Sequence, residues 1–290
     1  MCLKFTPTNL PHLKAAHFSD FPCQIVDILR SCGDRSWVFA NSKLARKAVG
    51  MDDMCRRYER VTSVLRQALN AVLSNPDRPR NCLVSQLVDN EEGELTLGNA
   101  HQMLFELMAA GVDTAGLTLT WCCYAIASGK LTVSPDDVFN ESHLEVVHRL
   151  GSTVPLAMPH RARFDSRVCG YYVPKDSVVI FNIFGVHQAQ LKEQICTITG
   201  SGCSHKQTAT FQPKMYFCES AIPFSLGPRA CPGFTYATRL VTRVMTHLIA
   251  NFEIKECDKA AGNVDGYRGG LTRPPADQCF RFIPLRGTEE

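Results

Sequence analysis

The most regular pattern of apolar and polar positions lies between residues 54 and 74. There Tyr58, Val61, Val64, Leu65, Leu69, Val72 and Leu73 recur at helical spacing, with Arg and Glu on the other face. An amphipathic helix is expected over 54–74. It ends at Asn75-Pro76, because the residue before a proline is pushed out of the α region. Residues 76–96 are polar, with Pro76, Pro79 and the run Asp89-Asn90-Glu91-Glu92, and read as a loop around a short helix, Leu83–Val88. Thr96 stands where it caps the next element. That element, 98–128, is apolar nearly all round, the pattern of a helix at the centre of a sizeable domain. Pro135, Asp136 and Asp137 mark a turn within 131–140, and a short helix is expected over 141–150.

Past residue 153 the period changes. Val154, Leu156, Val168, Tyr172, Val173, Val178, Val179, Ile180 and Phe181 are strand formers broken by Pro155, Pro159, Gly170 and Pro174, so short strands are expected over 153–185. The polar stretch 188–210 reads as loop. Helical period returns over 232–252 with Tyr236, Leu240, Val241, Val244, Met245, Leu248 and Ile249. The tail, 265–287, reads as a hairpin punctuated by Gly269-Gly270 and Pro274-Pro275. Residues 1–50 have weak periodicity, interrupted by Pro7, Pro11, Pro22 and Gly33, and read as loops and short helices. There are no internal repeats. The fold class expected is mainly α with small β-sheets.

Composition narrows the chemistry. With 290 residues, 45% hydrophobic and 20% charged, the chain is globular. A net charge of +3 without a dense Lys/Arg run argues against a nucleic-acid binder. The apolar stretch 103–127 carries Glu106, Asp113, Thr114, Thr118 and Thr120, and reads as a buried helix rather than a bilayer span. Residues 1–30 carry Lys4, Lys14, Asp20 and Asp27, which does not make a secretory signal. The 14 cysteines are scattered without the spacing of a disulfide scaffold, and are read as mostly reduced and facing the cytosol.

Two segments carry candidate chemistry. Pro223-Phe224-Ser225-Leu226-Gly227-Pro228-Arg229-Ala230-Cys231-Pro232-Gly233 is a turn that places one cysteine at the entrance to a long helix. The helix dipole and neighbouring N–H groups stabilise a thiolate there, and Arg229 adds positive charge. Two readings follow: Cys231 is a thiolate metal ligand, or it is a structural cysteine buried in a turn. Zinc is disfavoured, since no second cysteine or histidine stands at zinc spacing. The other segment, Ala110-Gly111-Val112-Asp113-Thr114, puts a glycine and two polar groups into the apolar helix. Either small residues open a groove where Asp113 and Thr114 handle protons, or Thr114 bonds back to an upstream carbonyl and Asp113 points to solvent.

Phe224, Gly227, Arg229, Cys231 and Gly233 stand at the offsets of the heme-binding signature of the cytochrome P-450 family, and the chain resembles that family. The resemblance implies the C-terminal part of the cytochrome P-450 fold, with a partial N-terminal helical region over 1–94 and a heme-binding portion over 95–290. It implies Cys231 as axial ligand to heme b (iron protoporphyrin IX), Arg229 on a propionate and Phe224 near the sulfur. It implies that Gly227 and Gly233 shape the turn and donate N–H bonds to the sulfur. By the same resemblance Ala110 and Gly111 lie over the heme face, and Asp113 and Thr114 deliver protons for oxygen activation. Pro155-Leu156-Ala157-Met158-Pro159-His160-Arg161 is similar to the segment after the family's K helix, implying His160 as a second propionate partner and Ser152–Met158 as substrate lining. The residue-level alternative for His160 is a solvated surface histidine. Gly170–Lys175 is similar to the turn that follows, and Leu271–Pro275 with Phe282-Ile283-Pro284 to a C-terminal hairpin whose tip touches substrate.

The function so implied is a heme-thiolate monooxygenase of the microsomal type. It inserts one oxygen atom of O2 into a lipophilic substrate, with electrons from NADPH through a reductase, at the cytosolic face of the endoplasmic reticulum membrane. Arg239 and Arg243 either help dock that reductase or are ordinary exposed helix charges. Departures from the pattern are visible. The family's glutamate stands three residues before its K-helix arginine, whereas here Glu145 stands four before Arg149, a spacing at which a helix pair still meets. Phe211–Phe217 lacks the arginine expected there, and few recognisable elements precede residue 97. The chain is therefore expected to be an N-terminally truncated member. Two alternatives stand beside the monooxygenase: a non-catalytic relative with weak or no heme binding, and a heme-thiolate isomerase.

Overall fold

The computed structural model describes Lys47 and residues 52–89, 96–189, 221–257, 271–275 and 279–285. Expectations placed on 1–46, 190–217 and 265–270 lie outside these residues. The chain divides into two compact units, Met1–Asp113 and Thr114–Glu290.

In the first unit α1 covers Asp52–Leu73, two residues longer at its start than the apolar pattern indicates. Asp52 and Asp53 occupy its first turn, where negative charge is favoured. Val61, Val64, Ala68 and Leu69 form its buried face, and Tyr58 meets Phe105 edge-on at 5.2 Å. The short helix α2 covers Leu83–Val88 as expected, with the Cys82 sulfur accepting the Ser85 N–H at 3.5 Å. Arg78 ties the intervening loop together by donating to Ser85 Oγ at 3.2 Å, the Leu73 carbonyl at 3.3 Å and the Asp89 carboxylate at 2.5 Å. Helix α3, Leu97–Ala127, continues into the second unit. Thr96 Oγ1 accepts the Asn99 N–H at 3.2 Å, the cap its position suggested. The expectation of a helix buried all round holds only for Trp121–Ala125; the earlier turns expose Leu107, Ala110, Gly111 and Gly116.

In the second unit α4, Glu141–Gly151, starts with a reciprocal cap. Asn140 Oδ1 accepts the N–H groups of Ser142 and His143, and His143 Nδ1 accepts the Asn140 N–H at 3.1 Å. Helix α5, Phe234–Asn251, lays Val241, Met245 and Ile249 on a core with Trp121–Ala125, Phe139, Leu144 and Val147. Three small antiparallel sheets complete the unit. β1 (His160–Arg161) pairs with β4 (Val178–Val179), and β2 (Ser166–Val168) with β3 (Tyr171–Val173). β5 (Phe252–Glu256) pairs with β6 (Phe280–Pro284) in the register Glu256↔Phe280.

Two expectations are corrected. Among the described residues β6 pairs with the segment leaving α5 and not with another part of the tail, and Ile254, buried in the core, sets that segment's inward face. Strand periodicity identifies a strand without naming its partner. Residues 183–189 are helical, so the expected loop does not begin at 188. Ile183 and His187, one turn apart, are the buried positions among these residues, and two positions are too little period to recognise.

The carboxyl end of α4 is where the second unit is tied together. Arg273 is buried and donates to the carbonyls of Leu150 at 3.0 Å and Gly151 at 2.7 Å. Its guanidinium lies 4.8 Å from both the Trp121 and Phe184 ring centroids, and Trp121 Nε1–H donates to the Arg273 carbonyl at 3.0 Å. A Cβ on Gly151 would come within 2.7 Å of the Trp121 ring, so this position is closed to any side chain.

Gly151→Ala is expected to destabilise the chain by about 1–3 kcal/mol through overpacking against a rigid indole, read as a lower urea midpoint with unchanged slope. Arg273→Met keeps the volume but removes charged hydrogen bonds, and is expected to cost about 1.5–3 kcal/mol; an unchanged midpoint would show that the α4 terminus is held by other groups.

Candidate functional site

The loop before α5 is built by local hydrogen bonds. Pro228 opens a single 3-10 turn, Gly227–Arg229, closed by the Ala230 N–H on the Gly227 carbonyl at 3.0 Å. Cys231 N–H then donates to the Phe224 carbonyl at 2.9 Å, which folds 224–231 back on itself. Gly227 has φ +78, a left-handed conformation that suits glycine, and no atom lies within 4 Å of where its Cβ would stand. Ser225, at φ +61, is a second left-handed position that the motif did not reveal. Gly233 is the N-cap of α5 at φ −87, and its absent Cβ would stand 3.8 Å from Cys231 Sγ, an ordinary contact.

Cys231 is exposed, which removes the reading of a structural cysteine buried in a turn. Arg229 is exposed beside it in the 3-10 turn, as are Leu226 and Phe234. Phe224 is half-buried, with its ring 5.1 Å from Phe234 and 5.4 Å from His148. The donor set of this loop is one accessible thiol, an arginine and apolar side chains. It fits a heme, a flat apolar group with a soft-ligand position and two carboxylates.

His160 lies on β1 with its ring 5.2 Å from Phe181. Its Nδ1–H donates to the Met158 carbonyl at 2.8 Å, since a carbonyl only accepts. Nε2 is left to donate to a carboxylate in the doubly protonated ring. Of the expected substrate-lining stretch 152–158, Leu156 and Met158 are exposed, whereas Ser152, Pro155 and Ala157 are buried. The Pro155 carbonyl is taken by the Phe184 N–H at 2.9 Å.

On α3, Ala110 and Gly111 are exposed, and a Cβ on Gly111 would meet nothing within 4 Å. Asp113 is 3% exposed, so it does not point to solvent. The Thr114 carbonyl accepts Thr118 Oγ1–H at 2.8 Å. The Glu145/Arg149 pair, displaced in sequence, closes at 2.6 Å with Arg149 fully buried, so the bridge survives at its altered spacing. Arg239 and Arg243 are exposed on α5. Arg243 lines an open groove of about 540 Å³ with Val138, Phe139, Thr242, Thr246 and His247, toward the opposite end of the helix from Cys231.

Sequence reasoning missed His187. It is fully buried; Nε2 accepts the Ile222 N–H at 3.0 Å, and Nδ1 meets Ser152 Oγ at 2.9 Å. A backbone N–H only donates, so the proton sits on Nδ1 and the ring is neutral. Burial, with the charge of Arg149 second, pushes His187 down to about 4; burial, with His187 second, pushes His148 down to about 4. Both histidines anchor the approach to the cysteine loop, His187 through Ile222 and His148 through Phe224. Only the tertiary contact distinguishes them from surface histidines.

No family model matches the chain. It is similar to dolabradiene monooxygenase of Zea mays, at 26% identity over 84% of this chain and 54% of the relative. It is also similar to carnosic acid synthase of Rosmarinus officinalis, at 25% identity over 67% and 43%. The chain thus spans about half the length of these curated relatives. Among solved structures, a zebra fish cytochrome P450 with abiraterone matches with a TM-score of 0.61 and 20% identity, over 95% of this chain and 66% of that one. The cytochrome P450DA heme domain matches at 0.65 and 17%, over 91% and 61%. At these identities the structures establish the fold.

The unfolded chain takes up a proton on each of these histidines near 6.5, the folded chain only near 4, so acid favours unfolding. Stability is expected to be complete above 6.5 and to fall as pH drops toward 4. In His187→Gln the slope of unfolding free energy against pH should be shallower by about 1.4 kcal/mol per pH unit; an identical slope in urea titrations would show that His187 does not titrate in the folded chain as described.

Proposed function

We propose that this chain, which belongs to the cytochrome P-450 family, holds iron protoporphyrin IX through the Cys231 thiolate and serves a heme-thiolate monooxygenase acting on a lipophilic substrate. The observation that carries the reading is the accessible Cys231 thiol on a turn fixed by its own N–H bond to the Phe224 carbonyl. When bound, the heme supplies the oxygen-activating chemistry of monooxygenation.

The chain's residues take the following roles. Cys231, exposed just ahead of α5, is the iron ligand. Arg229 pairs with one carboxylate of the group. His160, with Nδ1–H held by the Met158 carbonyl, offers Nε2–H to the other when protonated. Phe224 and Phe234 supply apolar packing beside the sulfur. Asp113 and Thr114 move protons from α3, and Ala110 and Gly111 leave its face open. The substrate is apolar, in keeping with the dolabradiene for which the maize relative is named. Electrons come from NADPH through a reductase that docks on Arg239 and Arg243, at the cytosolic face of the endoplasmic reticulum membrane. Among the described residues no helix is long and apolar enough to cross a membrane, so the membrane assignment rests on the family alone.

The test is a carbon monoxide difference spectrum of the dithionite-reduced protein expressed with heme supply. A red-shifted Soret band that Cys231→Ala abolishes is expected. Absence of heme, or a band that Cys231→Ala leaves unchanged, overturns the assignment of Cys231 as ligand.

A further inference from the structure

We infer that Cys257 and Cys279 form a redox-active thiol pair, closing to an intrachain disulfide when the chain meets an oxidised low-molecular-weight thiol such as glutathione disulfide. The two sulfurs lie 2.7 Å apart. They stand at the end of the β5–β6 ribbon from which the connecting segment leaves, one step beyond the Glu256↔Phe280 pair. The Cys257 N–H donates to the Cys279 carbonyl at 2.8 Å, so the backbones are already paired where a bridge would join them. A disulfide bond is about 2.0 Å long and bridges residues that directly face each other, so closure asks for a small side-chain adjustment. Cys279 is exposed and Cys257 partly so, which gives a small disulfide access.

The neighbouring pair in sequence, Cys122 and Cys123, is a useful contrast. Both are buried, and burial pushes the Cys123 thiol up to about 11 and that of Cys122 well above its usual value. Neither is accessible to an attacking reagent, and sulfur attacks as thiolate. The reactive pair is thus selected by position in the fold and not by proximity in sequence.

The chemistry balances without a metal. The Cys279 thiolate attacks one sulfur of the small disulfide and releases one small thiolate, leaving a mixed disulfide on Cys279. The Cys257 thiolate then attacks the Cys279 sulfur, forming the Cys257–Cys279 bond and releasing the second small thiolate. Two cysteine thiols are oxidised, one small disulfide is reduced, and the two protons end on the two released thiols. The bridge closes a ring over residues 258–278, which contains Arg273, the residue that caps α4. Oxidation therefore fastens the strand leaving α5 to the segment that carries that cap. A covalent ring restrains the unfolded chain, so the oxidised form is the more stable one.

The pair is tested on the full chain, independently of heme or activity. The folded protein is exposed to glutathione disulfide, blocked with N-ethylmaleimide and digested without reductant. Mass spectrometry is expected to find a peptide pair joined through Cys257 and Cys279, lighter by two hydrogens and separated by dithiothreitol. The melting temperature should be higher than that of the reduced chain, and the difference should vanish in Cys257→Ser and in Cys279→Ser. Because the readout on the unsubstituted chain needs no variant to fold, two outcomes overturn the proposal directly. One is recovery of both cysteines as separate maleimide or glutathione adducts. The other is a cross-link that forms as readily in urea as in the folded chain.

Discussion

A buried guanidinium at the end of a helix organises the second unit. Helix α4 ends at Gly151 with carbonyls that have no partner inside the helix, and Arg273, more than a hundred residues later in the chain, donates to two of them. A cation at that end is favoured by the helix dipole. It costs desolvation, which the rings of Trp121 and Phe184 on either side offset. The close approach requires glycine at 151 and brings α3, α4, the 183–189 helix and the 271–275 segment to one point.

The cysteine loop is held from the same end of α4. Ser152, the next residue, turns into the left-handed region at φ +43 and presents its hydroxyl to His187. His187 in turn receives the Ile222 N–H, two residues before Phe224, whose carbonyl receives the N–H of Cys231. Each member of this chain of contacts is a hydrogen bond with a fixed donor, and the two made by His187 span 35 residues each. Together they run from the α4 terminus to the backbone that bears the thiol. The Glu145–Arg149 bridge lies on the same helix, with the arginine buried and the glutamate partly exposed. Burial first, and the Arg149 charge second, hold the neighbouring imidazole of His187 neutral, which the acceptor role of its Nε2 requires.

That arrangement separates the positions that touch chemistry from those that position them. Cys231, Arg229 and Met158 are exposed, whereas Ser152, His187 and Arg149 are buried and already engaged. The stretch 152–158 shows the division within seven residues: its buried members hold the loop and its exposed members remain available to a ligand. An exposed thiol on a rigid turn is the state a soft metal ligand needs, since ordering it on binding then costs little.

The sequence by itself determined the helices with a long clear period, the placement of the cap at Thr96, and the loop around Cys231. These rest on neighbouring residues: helical faces repeat every three or four positions, and the Cys231 turn is closed by bonds within 224–231. It also fixed Glu145 and Arg149 as a pair, because i,i+4 on a helix is a local distance. Tertiary structure decided the rest. The pairing of β5 with β6, the burial of Arg273, the neutral tautomer of His187 and the meeting of Cys257 with Cys279 all join residues at least 22 apart in sequence. No period or motif encodes such a meeting, because which partner is reached depends on how the intervening chain packs into one core.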